Sequence, residues 1–239
     1  MNPALIRLLQ LSSPALPVGA YTYSQGLEWA VDAGRVTDEA STLAWIDAAL
    51  RQGMARCEAV YLAHMASAWT AVLAEGVDGD NGANGDEAGA PPSLQQLNMD
   101  FVVSRETAEL RAETLQMGYS LRRLLQDLPG FPANAVLNFE SPSFPLVWSY
   151  ASVVWSIPVA DAVAAYLWAW AENQVMAAVK AVPLGQTAGQ RLLMALGERI
   201  PALAADARAT VIDDAANYLP GLAIASSRHE TQYTRLFRS

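Results

Sequence analysis

The chain has 239 residues, of which 52% are hydrophobic and 16% are charged. A chain of this length and composition can bury a core without a disulfide or a metal, and it is not disordered as a whole. Its formal net charge is -9 and its basic residues form no stripe, which argues against nucleic-acid binding. The single cysteine, Cys57, excludes an intrachain disulfide.

The first half of the chain predicts helices separated by turns rich in proline and glycine. The predicted helices run over residues 4–11, 24–34 and 37–73. Gly34 is suited to end the second helix, and Thr37 can cap the third. Apolar residues recur along the third helix at steps of three and four, and Gly53 is a candidate break in it.

The second half continues the same pattern. Helices are predicted over residues 93–128, 145–157 and 158–182, then up to residue 200, over 202–217 and after residue 220. Gly118 interrupts the first of these, which indicates either a bend or the close approach of a neighbouring backbone. No segment alternates with period two. We therefore predict an all-α fold, a single-domain bundle of about eight to ten helices.

Two stretches interrupt this helical reading. Residues 75–92 are dominated by Gly, Asp, Ala and Asn, and we predict a flexible insertion there; the spacing of Asp78 and Asp80 lacks the remaining ligands of a calcium loop. Residues 141–160 carry no charge, but three prolines favour two buried helices that meet at Pro158 over a membrane span. The N-terminus has no signal-peptide pattern, so we expect a cytoplasmic protein.

Enzyme signatures are absent from the sequence. There is no P-loop, dinucleotide fingerprint, Gly-x-Ser-x-Gly elbow or His-Glu-x-x-His motif. His64, His229 and Cys57 are too few for a nickel or zinc site within one chain, although a site shared across a dimer stays open. We expect no catalytic residues, no bound metal and no cofactor.

Two readings of other classes remain as alternatives. The first is a small all-helical enzyme that acts on an apolar ligand through His229 and Glu230, and turnover without partners would reveal it. The second is a membrane-associated helical protein, which would partition into detergent.

Paired carboxylates at Glu109 and Glu113, with Arg105 and Arg111 nearby, predict a solvated, ion-paired helix face.

Four segments carry more polar and aromatic residues than core packing requires. They are residues 13–28, 104–118, 172–190 and 227–239. They contain Pro-Val-Gly followed by Tyr-Ser-Gln-Gly-Leu-Glu, the motif Pro-Leu-Gly-Gln, and the ending His-Glu-Thr-Gln-Tyr-Thr-Arg-Leu-Phe-Arg-Ser. In this order they resemble the F-type urease accessory proteins, the UreF family, over nearly the whole chain except the insertion.

The resemblance implies an all-helical, homodimeric adaptor that is not itself an enzyme. It implies binding to a D/H-type urease accessory protein, and then to a nickel-carrying urease accessory GTPase of the G type. These proteins would assemble on apo-urease and insert nickel into it, and the adaptor would regulate the GTPase. Neither nucleic acid nor a membrane is expected as a partner.

We expect the four segments to supply the partner-binding residues. The candidates are Tyr21, Tyr23, Ser24, Gln25, Glu28, Arg105, Arg111, Gln186, Gln190, His229, Glu230, Tyr233, Arg235, Leu236, Phe237 and Arg238. The last segment, residues 226–239, mixes basic and apolar side chains, which is typical of a tail that orders on a partner. The alternative is a helix docked on its own domain. Arg105 is predicted either to order a helix with Glu109 or to reach a nucleotide phosphate in the GTPase.

Overall fold

A computed structural model describes residues 2–75 and 92–238, and the regular structure in these ranges is helical, without β-strands. Ten α-helices there span nine residues or more, and two are shorter. The α-helices are α1 (Pro3–Leu11), α2 (Leu27–Asp32), α3 (Glu39–Ala49), α4 (Ala59–Glu75), α5 (Leu94–Val103), α6 (Ala108–Asp127), α7 (Asn134–Leu137), α8 (Phe144–Val154), α9 (Val159–Ala181), α10 (Gln186–Gly197), α11 (Ile200–Ala209) and α12 (Pro220–His229). The all-α prediction is confirmed. The insertion predicted at 75–92 falls almost wholly outside the described residues.

A continuous set of buried apolar side chains runs from Leu11 to Phe237 and joins nearly all of the helices. Its centre lies where α4 packs against α8 and α9. Trp69 of α4 is fully buried, and its ring lies 4.7 Å from that of Tyr150, centroid to centroid. Its indole N–H donates to the Leu146 carbonyl at 3.2 Å, so the largest core side chain keeps its polar atom paired.

The uncharged stretch forms the helices α8 and α9, which meet around Pro158 as predicted. Pro145 stands in the first turn of α8, where its missing N–H costs no helical hydrogen bond. Within residues 2–75 and 92–238, no helix combines the length and the apolar character that crossing a membrane requires.

The single helix predicted over residues 93–128 is wrong, because the chain breaks between α5 and α6. Ser104 ends α5, and its hydroxyl donates to the Phe101 carbonyl at 2.7 Å. Thr107 begins α6, and its side chain accepts the Leu110 N–H at 3.1 Å. Both side chains satisfy helix-terminal backbone groups, so the break has no unpaired ends at these positions.

The helix predicted over residues 202–217 is also too long, since α11 ends at Ala209. The residues that follow lie along a π-helix, Leu50–Glu58, which contains the candidate break at Gly53. Backbone N–H groups of Ala216 and Tyr218 donate to carbonyls of this π-helix, at 3.0 and 3.4 Å. These bonds between distant segments replace the helical bonds that the local sequence favours.

Gly118 marks a close approach of two backbones, one of the two readings that its position predicted. A Cβ placed on it would lie 2.1 Å from the Pro142 carbonyl oxygen and 2.8 Å from the carbonyl carbon of Ser143. Both neighbours are backbone atoms, which cannot rotate away as a side chain can. The helix α6 therefore packs against the start of α8 only with glycine at this position.

We expect Gly118→Ala to lower the free energy of unfolding by about 1–3 kcal/mol, because the added methyl group forces α6 away from residues 142–144. Chemical denaturation measures the change. Gly221→Ala in α12 is the matched control, since a Cβ there meets nothing within 4 Å. Equal stability of the two variants would contradict the close approach.

Cys57 lies in the π-helix with a side chain that is 2% exposed. Burial raises the pKa of its thiol to about 11, against the opposing effect of the nearby Arg105 guanidinium. We expect iodoacetamide at pH 8 to alkylate the native protein at least roughly a hundredfold more slowly than the unfolded protein, because the thiolate is the reactive form. Mass spectrometry of labelled samples measures both rates, and similar rates would show that this region opens readily.

Candidate functional site

The structure divides the sixteen predicted partner-binding residues into an exposed and a buried set. The exposed residues are Tyr21, Arg111, Gln186, Gln190, Glu230, Tyr233, Arg235, Leu236 and Arg238. The buried residues are Tyr23, Ser24, Gln25, Glu28, Arg105, His229 and Phe237. Members of the buried set can affect a partner only through the surface that they position. The role of the whole set in partner binding stays a prediction.

Part of the buried set gathers where α2 meets α12. Gly26 precedes α2 with φ of 79°, a conformation that glycine adopts without strain. A Cβ at this position would lie 2.8 Å from the backbone nitrogen of Ser226, so glycine is also required for the approach of α12. This close contact brings Glu28 of α2 and His229 of α12 together.

His229 is fully buried between two carboxylates. Its Nε2 lies 3.2 Å from Oε2 of Glu28, and its Nδ1 lies 2.9 Å from Oε2 of Glu109 in α6. A neutral imidazole carries a single N–H, so both contacts are hydrogen bonds only when both ring nitrogens are protonated. Arg235 adds a further ion pair to Glu109, with its Nη1 2.9 Å from Oε1.

The C-terminal segment, residues 231–238, is docked onto this cluster. Backbone N–H groups of Leu236 and Phe237 donate to the Glu28 carboxylate at 2.6 and 3.0 Å, and that of Arg238 donates to the Thr22 carbonyl at 2.7 Å. The ring of Phe237 is buried with Lys180 above it. The chain thus docks this segment on its own domain, as in the alternative, but the helix ends at His229 and the segment itself is not helical. Ordering on a partner stays a prediction.

Arg105 belongs to a second buried cluster. Its Nη1 lies 2.6 Å from Oε1 of Glu58, and the Tyr166 hydroxyl donates to Oε2 of the same carboxylate at 2.7 Å. Burial, reinforced by the Glu58 charge, raises the pKa of Tyr166 well above its usual value. The predicted pairing of Arg105 with Glu109 is therefore wrong, because Glu109 is engaged by His229 and Arg235.

The predicted solvated face of α6 is wrong as well. Glu113 is 8% exposed, and its Oε1 accepts the Gln25 amide N–H at 2.9 Å. The Trp170 indole in turn donates to the Gln25 carbonyl oxygen at 2.9 Å. These side chains line one wall of a cavity of about 200 Å³, together with Glu58 and Arg105.

Sequence reasoning missed Glu58, Tyr166 and Trp170 as members of these clusters. For Glu58 a signal existed, since a charged residue beside Cys57 interrupts the apolar pattern of a predicted buried helix. For Tyr166 and Trp170 the sequence offers no comparable signal, because aromatic residues are common on the core face of a helix.

The enzyme reading through His229 and Glu230 finds no support in this geometry. Both nitrogens of His229 face carboxylates, Glu230 is exposed, and neither residue lines the cavity. Within the part of the chain that the structure describes, no three His, Cys, Asp or Glu residues are placed to hold a metal ion.

Comparisons with a family model and with individual relatives identify the same family. Residues 36–197 match the family model described as UreF. A urease accessory protein UreF of Azoarcus sp. (strain BH72) is 56% identical, with 100% of this chain and 99% of the relative aligned. One from Dechloromonas aromatica is 51% identical, covering 98% and 97% of the two chains. These names support an accessory protein over an enzyme, and the chain belongs to the UreF family of urease accessory proteins.

Proposed function

We propose that this chain is a cytoplasmic adaptor, active as a homodimer, in the insertion of nickel into apo-urease. In this proposal it binds a D/H-type accessory protein first and the nickel-carrying G-type GTPase afterwards, and it regulates that GTPase. Membership of the UreF family supports the general role. A relative in Bordetella bronchiseptica is named a bifunctional urease accessory protein UreEF, and this chain aligns with 52% of it, which supports work beside other accessory proteins.

The observation that carries the proposal is the shape of the C-terminal segment. Its backbone is held against Glu28 through the N–H groups of Leu236 and Phe237. Phe237 is buried, whereas Tyr233 and Leu236 are exposed by 103% and 71%. An exposed tyrosine and leucine on a docked segment offer apolar area at low entropic cost, as interface anchors do.

The charged side chains near the C-terminal segment indicate what kind of partner fits this surface. Arg228, Arg235 and Arg238 are exposed on α12 and the C-terminal segment, where Arg235 pairs with Glu109 and Glu230 is an exposed acid, although the chain as a whole has a net charge of -9. A basic rim on an acidic protein favours a partner with an acidic rim around an apolar pocket. We assign this surface to the D/H-type accessory protein.

A second face supports the proposed homodimer. Leu5, Ile6 and Leu9 on α1 are exposed by 49%, 47% and 58%. Such an apolar stripe on a helix is typical of a surface that another protein covers.

The hypothesis that Arg105 reaches a nucleotide phosphate in the GTPase has no support in this geometry. Arg105 would have to leave its buried pair with Glu58 to do so.

We expect deletion of residues 231–239 to abolish capture of the D/H-type accessory protein from the same urease gene cluster, because it removes both exposed anchors. Affinity pull-down of co-expressed proteins measures capture. Far-UV circular dichroism should stay helical, since the deleted residues follow α12. Capture that survives the deletion in a folded protein would overturn this assignment.

Point variants then separate side-chain contacts from the loss of the segment. The double variant Tyr233→Ser with Leu236→Ser should weaken binding about a hundredfold or more, as expected for two central apolar contacts. Tyr119→Ser with Val103→Ser is the matched control, because these side chains are exposed by 54% and 71% on other helices. Similar losses in the two double variants would show that the effect is not specific to the C-terminal segment.

A further inference from the structure

We infer that Glu28 is the positioning residue that holds the C-terminal segment, residues 231–238, in the form that the D/H-type partner recognises. The inference rests on the proposed function, since it assigns a cause to the shape of the same surface. Glu28 lies more than 200 residues from the segment in sequence, yet its carboxylate is the acceptor that the segment's backbone shares.

Both oxygens of the Glu28 carboxylate hold the C-terminal segment. Oε1 accepts the Leu236 N–H, and Oε2 accepts the Phe237 N–H while it also faces Nε2 of His229. Hydrogen bonds to a charged acceptor are stronger than neutral ones, and Glu28 is 7% exposed, so water competes little for it. Two consecutive backbone donors on one carboxylate fix the orientation of the segment as well as its position.

The orientation of the segment's backbone determines which of its side chains are buried. Fixing the N–H groups of Leu236 and Phe237 toward Glu28 buries the Phe237 ring and leaves the Leu236 side chain 71% exposed. Arg238 then reaches Thr22, and Arg235 reaches Glu109. Without Glu28 the segment would have to pay the entropy of ordering when it binds, and the partner would meet a smaller population of the competent form.

The population of the docked form determines how tightly the partner binds. When only the docked form binds, the apparent Kd equals the intrinsic Kd divided by the docked fraction. Glu28→Gln keeps the size of the side chain but removes its charge and one acceptor oxygen. We expect the exchange of the Leu236 and Phe237 amide hydrogens to become about tenfold faster or more in this variant.

The test combines hydrogen exchange with binding to the D/H-type accessory protein. Exchange of a C-terminal peptide gives the docked fraction, and biolayer interferometry gives Kd. Phe237→Ala is the second variant, because it undocks the segment without touching Glu28 or the exposed anchors. The double variant of Glu28→Gln and Phe237→Ala extends the range of docked fractions to lower values. Glu198→Gln is the charge-matched control, because it removes an exposed carboxylate at the end of α10. Circular dichroism and the unfolding midpoint identify variants that have lost the helical fold.

Support would be an apparent Kd that varies in inverse proportion to the docked fraction across the three variants, with the control unchanged in both. Unaltered amide exchange in a folded Glu28→Gln protein would overturn the inference. So would wild-type or tighter binding by a variant whose docked fraction is below one half. These outcomes leave the proposed function standing, because the assignment of this surface is tested separately by the deletion of residues 231–239.

Discussion

A buried carboxylate must find hydrogen-bond partners, and the three groups that Glu28 contacts lie near the C-terminus of the chain. His229 comes from α12, and the N–H groups of Leu236 and Phe237 come from the C-terminal segment. Leaving such a charge without donors would cost several kcal/mol, so these contacts form together. The helix α12 and the segment after it are therefore held by polar pairing as much as by apolar burial.

The sequence was sufficient for the fold class and insufficient for the breaks in it. Apolar residues at three- and four-residue steps predict the helical stretch that contains α3 and α4, and the bounding prolines predict α9. The interruption at residues 104–107 is capped locally, whereas the one at residues 210–219 depends on contacts with a distant segment. Ala216 and Tyr218 pair with carbonyls of the π-helix, and no local propensity records a partner about 160 residues away.

The candidate site shows the same division. The polar segments that the sequence singled out do meet in space, since Gln25, Glu28 and His229 all lie in the two buried clusters or between them. Their burial was not predictable, because Gln, Glu and His are usually exposed and each becomes buried only through a partner on another helix. The pairing of Arg105 with Glu58 over Glu109 likewise depends on the break before α6, which the sequence did not reveal.

Polar clusters beneath the proposed binding surface suit the proposed adaptor role better than an apolar core would. An apolar contact under the C-terminal segment would tolerate small shifts in its register, whereas hydrogen bonds to one carboxylate lose much of their strength when donor and acceptor move apart. Directional bonds therefore select one arrangement of Tyr233 and Leu236, even where they add little to stability. An adaptor acts through the geometry that it presents, and in our proposal that geometry depends on a carboxylate that the partner does not touch.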